Sequence, residues 1–143
     1  MKLIAIAVIA VIQIVVASGE APSTSVEIKE GSAVTAFNKE DGFKLSEKAL
    51  KNLEVKFRKI SGSGPWTVPK SSLVRIKHSS GVYRKWNGWI TMVLVNVIAQ
   101  SKDTITITSV DLQGQDEVAV TGVSFLRMTD ADLNSDTVDS CAH

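Results

Sequence analysis

Few side chains in this sequence carry the chemistry of a reactive centre, and they are scattered. The histidines are His78 and His143, and the one cysteine is Cys141. Nucleophilic catalysis needs a base beside the nucleophile and a third group to orient that base. His78 falls in a Ser/Gly-rich stretch, His143 is the last residue, and no serine lies in a Gly-x-Ser-x-Gly elbow. Ser61-Gly62-Ser63-Gly64 lacks the Gly-Lys-Ser/Thr that completes a phosphate loop, so it reads as a turn. The carboxylate pairs Asp116-Glu117 and Asp130 with Asp132 read as a solvated turn and tail. The chain is therefore expected to be a non-enzyme without a cofactor.

Cys141 and His143 are the one metal-like pair. Thiolate and imidazole suit copper or zinc, but two ligands do not close a tetrahedral site. Metal capture by Cys141 and His143 stands as an alternative reading, with a free thiol on a polar tail as the plainer one. Met92 reads as core rather than as a copper ligand. Trp66, Trp86 and Trp89 are expected to cluster around the Asn87-Gly88 hairpin. They read as the cap of a small β core, with a secreted ligand-binding β-module as a further alternative.

Charge carries more information by position than in total. The net charge is +1, which gives no reason to expect nucleic-acid binding. Yet residues 44–85 hold eleven basic and two acidic residues, a net of +9, and residues 86–143 hold two basic and eight acidic, a net of −6. Lys56 and Arg58 alternate with apolar residues along one expected strand, and Arg75 with Lys77 along another. If those strands are neighbours, the four cations share one face that suits an acidic partner or anionic headgroups.

The elements that would position these residues follow from periodicity. Residues 1–19 carry Lys2, an apolar run from Leu3 to Ala17, and small residues after it. A helix over that run spans roughly 22 Å, short of a bilayer core, so it reads as a cleaved secretory signal. The mature chain is then exported and not membrane-spanning. Residues 20–41 are polar and read as a flexible lead-in, with a short strand near Val26. Ser46 is an N-cap for a short helix over 46–52. Alternation predicts strands over 54–60, 72–77, 82–85, 89–99, 104–110 and 117–121. Residues 78–81 read as a turn, and Asn87-Gly88 as a type I′ hairpin turn. Residues 89–99 are apolar on both alternating sets and are expected to be buried on both faces. After Arg127 the chain is acidic and reads as a frayed tail over 128–143. The expected fold is mainly β: a small antiparallel β-roll or partly open barrel with one short helix.

Two separated stretches carry a family resemblance. Gly42-Phe43-Lys44-Leu45-Ser46-Glu47-Lys48-Ala49-Leu50-Lys51-Asn52-Leu53-Glu54-Val55 is similar to the early segment, apolar-x-apolar-Ser followed by a short helix and a strand, of periplasmic adaptor (membrane fusion) subunits of resistance-nodulation-division efflux pumps, heavy-metal branch. Val68-Pro69-Lys70-Ser71-Ser72-Leu73-Val74 resembles the motif opening the adaptor's C-terminal part. Asp103-Thr104-Ile105-Thr106-Ile107 and Leu112-Gln113-Gly114-Gln115-Asp116-Glu117-Val118-Ala119-Val120-Thr121-Gly122-Val123 resemble its closing strands. The resemblance covers residues 42–127 and implies a free-standing membrane-proximal β-roll. The duct-forming domains are absent, because only Ser61 to Trp66 stand where those domains lie in full-length adaptors. It further implies a periplasmic interaction protein, contacting an inner-membrane efflux pump or its adaptor.

Overall fold

Asn87 and Gly88 both adopt positive φ, 50° and 79°, the geometry of the expected type I′ turn. The turn joins β7 (Ser79–Trp86) to β8 (Trp89–Gln100) with Trp86 opposite Trp89. Around this hairpin the computed structural model, which describes residues 26–27 and 31–135, assembles one open, entirely antiparallel sheet system that does not close into a barrel. The other elements are β1 (Val26–Glu27), β2 (Val34–Asn38), β3 (Gly42–Leu45), α1 (Glu47–Asn52), β4 (Lys56–Lys59), β5 (Trp66–Pro69), a 3₁₀ turn (Lys70–Ser72), β6 (Val74–Ile76), β9 (Thr104–Thr108), β10 (Glu117–Thr121) and α2 (Val123–Ser135). The main sheet runs β1-β2-β3-β8-β7-β10-β4, with β6 on β7; β9 attaches to the far half of β8 and carries β5 on its other edge.

Alternation along the central strands sends neighbours to opposite faces and builds two cores. Tyr83, Ile90 and Ala119 face one way, where Phe43, Ala49 of α1, and Val123 and Leu126 of α2 join them. Val82, Val93, Val95 and Val118 face the other, under Trp66 and Val68 of β5 and Ile105 and Ile107 of β9. The central strands are thus covered by helices on one side and by the β5–β9 pair on the other.

Local chemistry explains the boundaries. Ser46 Oγ accepts from the Ala49 N–H at 3.2 Å, so the expected cap is in place. The helix ends in a Schellman motif: Val55 N–H donates to Leu50 O (2.9 Å) and Glu54 N–H to Lys51 O (3.2 Å), with Glu54 at φ 51°.

Several expectations need correction. Residues 34–41 are not part of a flexible lead-in but form, with residues 42–45, a β2–β3 hairpin. Buried Asn38 closes it, accepting from the Glu40 N–H at 3.0 Å and donating to Asp41 Oδ2 at 2.8 Å. The turn after β6 is Lys77-His78, with Lys77 at φ 51°, so β7 begins at Ser79, earlier than expected. The acidic segment after Arg127 continues α2 to Ser135, because Val123, Leu126 and Leu133 fall on one helical face that packs on the first core. Strand β8 is buried on both faces only near its start. Leu94 is 56% and Ile98 57% exposed, since the helices cover Ile90 and Met92 but not the half of β8 that leaves for β9. The expected signal segment, the start of the lead-in and residues 136–143 lie outside the described residues. Among the described residues, no helix is long and apolar enough to cross a membrane.

Tyr83 ties α2 to the sheet. Its ring meets Phe43 edge-on at 6.4 Å between centroids, and its hydroxyl donates to Asp130 Oδ2 at 3.0 Å. Burial, and then the Asp130 charge and hydrogen bond, raise the phenol pKa well above its ordinary value, against a smaller opposing effect of Arg127. A raised acid pKa means that the folded chain keeps a proton which the unfolded chain loses. This part of the stability is whole below about pH 10 and falls as the pH rises above it. Tyr83 is the sole tyrosine, so tyrosinate absorbance follows it alone. Absorbance should stay flat near pH 10 and rise together with the loss of the circular dichroism signal; Tyr83→Phe should flatten the alkaline fall in stability.

Gly42 gives a second prediction. It has φ 93°, and a Cβ there would run into the Ile90 carbonyl oxygen, where β3 meets β8. Gly42→Ala should destabilise the fold by roughly 2–4 kcal/mol in urea denaturation.

Candidate interaction surface

The Schellman end of α1 feeds the chain into β4, an end strand of the main sheet. β4 hydrogen-bonds on one side to β10, and no other described strand pairs with it. Its sequence is Lys56-Phe57-Arg58-Lys59. Phe57 is half-buried against the first core, while Lys56, Arg58 and Lys59 are exposed. None of the three makes an ion pair with a described residue. One row inward the charges are neutralised: Lys85 Nζ lies 3.1 Å from Glu117 and 4.8 Å from the centre of the Phe57 ring. Lys56, Arg58 and Lys59 thus carry uncompensated positive charge at the rim of the sheet.

Two clefts flank this rim. One, of about 480 Å³, lies between α1 and β4 and offers Leu50, Val55 and Phe57 among the lysines Lys51, Lys56 and Lys85 and the glutamates Glu47, Glu54 and Glu117. The other, of about 280 Å³, is bounded by Arg58, Lys59, Pro65 and Trp66. A charged strand edge with an apolar floor on one side and an indole on the other can hold an acidic chain through its side chains and its backbone.

The four cations singled out from the sequence divide. Lys56 and Arg58 are on β4. Arg75, on β6, and Lys77, in the turn after it, are exposed too, but β6 pairs with β7 and β10 stands between β7 and β4. The expected neighbouring strands are not neighbours, because β6 and β10 share the same edge of β7, and there is no four-charge patch built on adjacent strands. Lys59 was missed. The signal for it was the density of basic residues in Lys56-Phe57-Arg58-Lys59; that β4 ends the sheet is a matter of long-range pairing.

The remaining candidates fall in different places. Trp66 is buried in the second core, with its Nε1–H donating to Ser61 O at 3.1 Å, whereas Trp86 is 61% exposed and Trp89 lies under Lys44 Nζ at 4.7 Å. The three indoles are thus not one cap: Trp66 packs a core, and the hairpin pair decorates a turn. Met92 packs against the first core. His78 lines a cleft of about 420 Å³ with Ser79, Ser80, Ser109 and Asp111, and it makes no hydrogen bond or ion pair with any of them. Asp116-Glu117 is not a solvated turn. Asp116 is buried, accepts from the Gln113 N–H at 2.9 Å and lies 3.8 Å from Arg84, so its work is to hold the loop before β10. Asp130 accepts from Tyr83, as described, and is part of α2 rather than of a loose tail. Cys141 and His143 lie outside the described residues. Among those described, no group of three or more His, Cys, Asp or Glu side chains could hold a metal ion.

No protein-family model matches the chain, and neither a curated protein nor a solved structure matches it.

Proposed function

We propose that this chain is an exported, non-enzymatic interaction module that docks an acidic envelope partner on the rim of β4. The observation that carries the reading is the set Lys56, Arg58 and Lys59, exposed on an end strand and without an ion pair to any described residue. Exposed charges add only about 0–1 kcal/mol each to folding. Uncompensated like charges on one edge gain most by meeting a complementary surface, which raises the rate of encounter and excludes partners of the wrong sign. The partner class comes from the sequence pattern over residues 42–127, which resembles the membrane-proximal domain of efflux adaptors; it is an inner-membrane efflux pump or its periplasmic adaptor.

The test is crosslinking capture from the native envelope with the intact protein. Lys56→Glu, Arg58→Glu and Lys59→Glu together should leave the melting temperature nearly unchanged and abolish capture of a pump or adaptor subunit. Reversal of Arg75 and Lys77, which are not on an adjacent strand, should change capture little. Raised salt should weaken wild-type capture, since attraction between exposed charges is screened beyond about 8 Å at physiological ionic strength. Undiminished capture by the triple β4 variant at low salt would refute the reading.

A further inference from the structure

We infer that β4 takes its partner by strand addition: an acidic, extended peptide segment hydrogen-bonds to the open edge and becomes the next strand of the sheet. The inference rests on the proposed basic rim and adds the mode of binding.

The backbone supplies the first argument. Ile60 N–H donates to Asp116 O at 2.9 Å, and Arg58 stands opposite Val118 in the same register. In an antiparallel ladder the bonding direction alternates with every residue. Ile60 and Arg58 therefore bond inward to β10, and the N–H and C=O of Phe57 and Lys59 point to the open side. The edge is bounded at both ends: Val55 N–H is taken by Leu50 O, and Ser61 O is taken by the Trp66 indole. Between these limits four backbone groups, two donors and two acceptors, stand in the spacing that a further strand requires.

Charge identifies the occupant. A second copy of this chain would set Lys56, Arg58 and Lys59 against the same three cations, so the basic edge opposes the self-pairing to which an open strand is prone. The same charges favour an acidic strand. Side chains of an added strand lie on the same face as the residues they oppose. Those opposite Lys59 and Arg58 should be acidic, the one opposite Phe57 apolar so that it enters the cleft over Leu50 and Val55, and the one opposite Lys56 acidic again. Read antiparallel to β4, the segment is Glu-Glu-Val-Glu or its chemical equivalent.

The probe is a dye-labelled peptide, Thr-Glu-Glu-Val-Glu-Thr with blocked ends, titrated into the intact protein at low salt and followed by anisotropy. Two further peptides carry N-methyl groups on one or the other alternate set of amides, which removes one edge of backbone donors and leaves every charge in place. Strand addition predicts that the parent peptide binds, that at least one methylated form binds about tenfold or more weakly, and that the Phe57 and Lys59 amides become protected from hydrogen exchange in the complex. The Lys56→Glu, Arg58→Glu, Lys59→Glu variant, shown folded by circular dichroism, should not bind the parent. Equal binding of all three peptides overturns strand addition in favour of docking by charge alone. Absence of binding by the parent peptide overturns it too. If envelope capture still depends on Lys56, Arg58 and Lys59 in either case, the basic-rim reading survives on its own; if capture is also insensitive to them, both fall.

Discussion

Both cores of this protein hang on one strand. β8 pairs with β7 along Trp89 to Val95, touches β3 through Ile90 and Phe43, and then continues into the β5–β9 pair from Asn96 onward. Its first half supplies Ile90 and Met92 to the core under the helices and Val93 and Val95 to the core under β5 and β9. A strand with apolar residues on both alternating sets has no face that prefers water, so layers must form on each side of it. The helices and the β5–β9 pair are those layers. Where coverage ends, the apolar pattern continues uncovered, and Leu94 and Ile98 are left in solvent.

This constraint also decides where the sheet stops. Burying both faces of β8 requires its neighbour β7, and β10 beyond it, to alternate in the same way, as Val82 with Tyr83 and Val118 with Ala119 do. β4 lies one strand beyond, where only Phe57 still reaches the first core, and α1 guards its backbone only as far as Val55. From Lys56 onward, basic side chains stand in place of a covering element. Lysines and arginines on an edge are a known defence against uncontrolled pairing. Here they also give the edge a sign, and so a preference among partners.

How much of this was legible in the sequence depended on how local the cause was. The Asn87-Gly88 turn, the Ser46 cap and the inward Ile105 and Ile107 follow from chemistry within a few residues, and each stands as expected. The β2–β3 hairpin was missed because its closing device is an asparagine side chain bonding to the backbone of a charged turn, which resembles solvated loop in composition. α2 was missed for a similar reason: its asparagine and aspartates read as tail, although Val123, Leu126 and Leu133 keep a helical spacing, and Asp130 serves as the acceptor for Tyr83. The candidate site was half legible. Local alternation places Lys56 and Arg58 outward, but which strand ends the sheet is set by contacts far apart in sequence, so Lys59 was overlooked and Arg75 and Lys77 were wrongly joined to it.

If β8 welds the two layers into one unit, neither core can open without the other. The molecule carries its own reporters, because Tyr83 is buried in the first core and Trp66 in the second. With Trp86 and Trp89 replaced by Phe, urea unfolding can be followed at once by Tyr83 near-ultraviolet absorbance and by Trp66 fluorescence. The account predicts superimposable transitions with one midpoint, the mark of a single cooperative unit, and a Phe43→Ala variant whose loss of about 3–5 kcal/mol shifts both together. A Trp66 transition that keeps its midpoint while the Tyr83 transition moves would show two independent layers and contradict the dependence on β8.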